Sequence, residues 1–194
     1  IESSVLAANY EAEFQEMWNG TFKKGEEVLN PQVNLGNITI SSYFCPEDCK
    51  IQLSSTGQEV GAVYIISDLI RNAKESIYFM TFSFTHEKIG NAILLRHLEG
   101  NVTIKGIFES RGSGSEYSNY KVFEYQGIDV IKDKNPGAMH HKVFIIDEET
   151  VVTGSFNPSN NGENNNDENI LIIKDKAIAQ KYLEEFNRLY AEFS

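Results

Sequence analysis

No apolar run in this chain approaches the roughly 18 residues of a membrane-spanning helix, so no transmembrane segment is expected. Cations are also scarce. Lys and Arg number 17 against 28 Asp and Glu, for a net charge of −11 at pH 7. That deficit argues against a general electrostatic grip on nucleic acid or anionic lipid, which rests on clustered cations neutralising phosphates. A local basic cleft built from Lys142, Lys132, Lys134 and Arg111 can coexist with an acidic shell; the alternative is that these are scattered solvated charges. Cysteine is limited to Cys45 and Cys49, in CPEDC. The pair fits a disulfide in an exported protein, two ordinary thiols, or half of a metal site. Zinc would need two more ligands, there is no other Cys, and His86 and His97 are not spaced to supply them. A signal-peptide pattern is missing too, and Ile1 opens the chain without Met, as in a processed or trimmed segment. Asn19, Asn37 and Asn101 each begin an N-x-T tripeptide, but such sequons arise often by chance and prove nothing about secretion.

What remains is ordinary for a soluble globular domain: 194 residues, 41% hydrophobic and 23% charged, enough to bury a substantial core. Val5, Leu6, Tyr10, Phe14, Met17 and Trp18 recur at helical spacing across residues 3–18. Residues 19–37 are rich in Gly, Asn and Pro and predict a linker. Strands are expected at 38–44, 76–84, 102–109, 128–132, 139–147, 150–154 and 168–173, and helices at 60–74, 86–99, 117–126 and 175–192. The alternation predicts an α/β layered fold, a mixed β-sheet flanked by helices on both faces. Residues 1–37 would form an N-terminal helix and linker, and residues 38–194 the catalytic domain.

The most specific text is MHHKVFIIDEETVVTGSFNPS, which places His140, Lys142, Asp147, Gly154, Ser155 and Asn157 in the pattern H-x-K-x4-D-x6-G-S-x-N. VFIID and TVVTG are β-branched, apolar runs joined by an acidic turn. In an extended strand residues i and i+2 share a face, so His140 and Lys142 point the same way. The returning strand then brings Gly154 to Asn157 beside them. Alternation puts Asp147 and His141 on the opposite face, which suits Asp147 to a structural part near the turn. An imidazole, a cation and small polar donors together suit chemistry at a phosphate ester.

This run resembles the signature of the phospholipase D superfamily, the HKD motif. The resemblance covers roughly residues 40–194 and includes Glu168, 28 residues beyond His140 (168 − 140 = 28). It implies that His140 attacks phosphorus and forms a phosphohistidine. Glu168 would hold the remote N–H of that imidazole, Lys142 and Asn157 would meet the non-bridging oxygens, and Ser155 would support them. No metal or other cofactor is implied. The family also uses the histidine of a second motif to protonate the leaving oxygen. Only one complete motif is present here. His86-Glu87-Lys88 spells H-x-K at the start of a predicted helix but lacks the Asp and the G-S-x-N, so His86 and His97 read as ordinary surface or core residues. The partner is therefore expected to be a second such half, from a homodimer or from an upstream half of the same chain.

One internal echo bears on that choice. Ala7, Tyr10, Glu13 and Phe14 align with Ala179, Tyr182, Glu185 and Phe186 at a constant offset of 172 (179 − 7 = 172). Any two amphipathic helices share a few positions, but two aromatics in register favour a true repeat, with the first helix as the tail of a preceding half. For substrate, three readings stand. A nuclease is slightly favoured by small size, although net acidity counts against it. A phospholipase D or phosphatidyltransferase follows from a tandem arrangement. The last is an inactive half that supports a partner or binds phosphate.

Overall fold

The structure, a computed structural model, describes residues 1–28 and 30–194. The chain opens with helix α1 (Ser4–Trp18), started by the Ser3 hydroxyl accepting the N–H of Leu6. Strands β1 (Gln32–Leu35) and β2 (Ile38–Cys45) form an antiparallel hairpin. A small hairpin of β3 (Gln52–Leu53) and β4 (Glu59–Val60) precedes α2 (Ala62–Arg71). Then come β5 (Ser76–Thr81), α3 (Glu87–Glu99), β6 (Thr103–Phe108), α4 (Asn119–Tyr125) and β7 (Asp129–Lys132). The motif occupies β8 (Lys142–Ile146) and β9 (Thr150–Gly154), followed by α5 (Asn160–Asn164), β10 (Glu168–Lys174) and α6 (Lys176–Phe193).

Among the described residues the strands build one eight-stranded sheet in the order β1-β2-β10-β9-β8-β5-β6-β7. Pairing is parallel for β5–β6–β7 and antiparallel elsewhere, so the sheet is mixed. Strand alternation feeds two cores. Phe144, Ile146, Phe79 and Val152 meet α2, α3 and α4 on one face. Val143, Ile145, Met80 and Val151 meet α6 and Leu6 of α1 on the other. This three-layer α/β architecture is the one the sequence predicts.

Several boundaries differ. Residues 32–35, expected as linker, are the edge strand β1, whose half-exposed alternation is too short to register as a strand. Strand β8 starts at Lys142, so His140 stands just before it on a loop. The short helix α5 lies in an Asn-rich stretch without apolar periodicity and was not foreseen. Cys45 and Cys49 are joined in a disulfide, both buried, which resolves the three alternatives for CPEDC.

Candidate active site

Antiparallel pairing of β8, β9 and β10 brings the start of β8, the end of β9 and the start of β10 to the same end of the sheet. There His140, Lys142, Gly154, Ser155, Asn157, Glu168 and Asn169 line one open cleft of about 530 Å³. Six of these seven are the positions the sequence singles out, and the tertiary fold brings them together.

Lys142 is buried, with its ammonium donating to the carbonyl of His140 at 3.1 Å and lying 5.1 Å from the centre of the Phe82 ring. Burial lowers its pKa, while the Glu168 carboxylate across the cleft works in the other direction. The exposed His140 imidazole meets the same Phe82 ring edge-on, 4.6 Å between centroids. Phe82 thus steadies both groups by cation–π and aromatic contact. Its position in the run MTFSF carries no signal beyond core packing, which is why the sequence reading passes over it.

Gly154 adopts φ +140°, and a Cβ there would stand 2.2 Å from the carbonyl oxygen of Asn169. Only glycine permits that approach. Past it, the backbone N–H of Ser155 donates to the Asn169 carbonyl at 3.1 Å, and the Ser155 hydroxyl accepts the Asn169 N–H at 3.0 Å. Ser155 therefore fastens the loop to β10. Phe156 is buried in the core, and Asn157 follows it into the cleft with an Oδ1 that is buried and accepts no hydrogen bond from the described residues. Asn169 is a second residue the sequence reading missed; its side chain also accepts from the Tyr10 hydroxyl at 3.2 Å, tying α1 to the cleft rim.

Glu168 lines the cleft, but its carboxylate is hydrogen-bonded to the Asn166 side chain at 3.0 Å and not to the His140 ring. Asp147 is not in the cleft. It sits at the far end of β8, where its carboxylate accepts the N–H groups of Lys74, Glu75 and Ser76 at 2.7–3.1 Å. His141 faces α6 beside Met80, Val143 and Tyr182, and burial holds its imidazole below the ordinary range. The basic cleft does not assemble: Lys132 stacks over Tyr120, Lys134 reaches the Ser194 carbonyl and Arg111 the Pro136 carbonyl.

Residues 66–190 match the family model described as "Cardiolipin synthase, PLD-like domain". The chain belongs to the phospholipase D superfamily. It is 32% identical over 158 residues to a phospholipase D of Rickettsia conorii, covering 81% of this chain and 78% of that one. It is 33% identical over 122 residues to the mitochondrial cardiolipin hydrolase of Homo sapiens; the chain spans about half, 48%, of that relative's length. Among solved structures, the phospholipase D family member Nuc from Salmonella typhimurium superposes with a TM-score of 0.69 at 26% identity, covering 81% of this chain and 97% of that one. The phosphatidylserine synthase of Haemophilus influenzae shares the fold at a TM-score of 0.58 and 14% identity, with only 40% of that chain covered.

Proposed function

We propose that this superfamily member cleaves phosphodiesters without a metal, through a phosphohistidine on His140. The observation that carries the reading is the cleft itself, where His140, Lys142 and Asn157 line the same open space. A ring nitrogen of His140 attacks phosphorus; the P–N bond forms as the P–O bond to the leaving group breaks, and that oxygen takes a proton from a second acid. Water or an alcohol then attacks, the P–N bond breaks, and the acceptor's proton passes to the same second group. Lys142 and the Asn157 amide offset charge on the non-bridging oxygens. Glu168 supports the Lys142 charge, and on substrate binding would take the His140 N–H.

The second acid must be the imidazole of another such half. The first helix supports a preceding half of the same polypeptide. Helix α6 buries Phe186 completely against the sheet, yet its counterpart Phe14 is 48% exposed and Trp18 75% exposed on α1. Their exposure supports reading them as a packing face for a second sheet. A homodimer is the other source of that half.

Among the described residues Lys142 is the sole cation lining the cleft, so the site suits a single phosphodiester, such as a phospholipid, better than a polyanion. That reverses the slight preference for nucleic acid drawn from chain size. Turnover of bis(p-nitrophenyl) phosphate, phospholipid micelles and single-stranded DNA should be compared in EDTA, with wild type and His140→Asn. Activity that survives EDTA and falls at least about 1,000-fold in the variant fits the reading; full turnover by His140→Asn, or abolition by EDTA, defeats it.

A further inference from the structure

His86 has no part in that mechanism, yet both of its ring nitrogens are engaged. It is 7% exposed and serves as the N-cap of α3, its Nδ1 accepting the N–H of Ile89 at 3.4 Å. With Nδ1 an acceptor, the neutral ring carries its proton on Nε2. That nitrogen lies 3.0 Å from Oε2 of Glu163, whose side chain is largely buried. Glu163 belongs to α5, which Pro158 and the N-cap Ser159 join to Asn157. Its other oxygen accepts the N–H of Ile51 at 3.4 Å.

The backbone repeats the link. The N–H groups of Thr85 and His86 both donate to the Pro158 carbonyl at 2.9 Å. The Asn119 side chain donates to the carbonyls of Phe84 and His86 at 3.3 and 3.4 Å, holding that turn in place. Asn157 is thus strung between two anchors. Upstream, Ser155 is fastened to Asn169 of β10. Downstream, Pro158 and Glu163 are fastened to Thr85 and His86.

We propose that His86 and Glu163 are a positioning pair: through α5 and Pro158 they hold the Asn157 amide where the phosphate oxygens will be. The pair touches no substrate. A short, Asn-rich helix of five residues has little stability of its own, so its placement depends on such a tether. When the tether is lost, Asn157 samples positions off the cleft, and the cost falls on the transition state more than on substrate binding.

This inference rests on the phosphodiesterase reading, and three variants separate the two. His86→Asn keeps a good N-cap but is too short to reach Glu163. Glu163→Ala removes the acceptor, and Glu163→Gln retains one for the Nε2 proton. With bis(p-nitrophenyl) phosphate, His86→Asn and Glu163→Ala should lose about 10- to 100-fold in kcat with KM within about twofold, and Glu163→Gln should recover to within about threefold of wild type. Amide hydrogen exchange across residues 157–165 should quicken about tenfold or more in the first two variants, with exchange in β8 and β9 unchanged. An unaltered kcat and exchange in Glu163→Ala, or a Glu163→Gln as impaired as Glu163→Ala, overturns the pair. If wild type turns over no phosphodiester, the functional reading falls, while the exchange pattern still decides whether the pair tethers α5.

Discussion

Lys142 and Glu13 show how burial at single residues sets pH behaviour in this chain. For Lys142, burial lowers the pKa and Glu168 partly restores it. The alkaline limb of activity should then fall below the usual lysine range. Replacing Glu168 with Gln removes the supporting charge, so the limb should shift further to lower pH, read from a kcat/KM profile. A limb that stays in place or moves to higher pH in Glu168→Gln contradicts the electrostatic part given to that carboxylate. Glu13, in a groove with Phe14, Met17 and Phe44, is pushed up to about 7 by burial first and then by Glu16, Asp167, Asp48 and Glu47. Its folded pKa lies above the unfolded value, so between about 4.5 and 7 the folded state binds more protons and stability declines as pH rises. Glu13→Gln should therefore raise Tm at pH 8 and change it little at pH 4; equal shifts at both pH values would remove the titration as the cause.

At the level of elements, the hairpin of β8 and β9 is anchored at both ends by different means. Asp147 fastens the turn to the start of β5 through N–H groups that would otherwise lack partners. At the other end Gly154 lets the chain pass against Asn169. Gly154→Ala combines an unfavourable positive φ with a backbone clash, and should cost about 2–4 kcal/mol in denaturant unfolding. A loss under about 0.5 kcal/mol would mean the loop relaxes freely, and with it the geometry of Asn157. The disulfide lies at the end of β2, where Cys45 pairs with Glu168 of β10, so it braces the strand that borders the cleft.

At the scale of the whole molecule, the proposed reaction calls for a second half, and Phe14 and Trp18 are exposed on α1. If two copies of this chain complete the site, mixing wild type with an equal amount of His140→Asn should leave about one quarter of the activity rather than about one half, since mixed pairs lack one imidazole. Retention of one half would mean that each chain acts alone or depends on a half outside these 194 residues.

Much of this was legible from local pattern. The expected alternation anticipated that His140 and Lys142 share the cleft and that Asp147 and His141 lie away from it, although β8 begins only at Lys142 and His140 stands on the loop before it. The order of helices and strands followed from apolar period. What the text could not hold was non-local. The insertion of β10 between β2 and β9, the edge strand β1, and the Phe82 ring under both His140 and Lys142 depend on pairing between segments far apart in sequence. The same is true of His86 meeting Glu163, which one period or motif could not foretell. Sequence alone therefore determined the candidate site residues and the class of fold, since both are written in short spacings. The tertiary structure decided which groups share the cleft and what holds them there, since contacts across a sheet are selected by burial and hydrogen bonding of the whole chain at once.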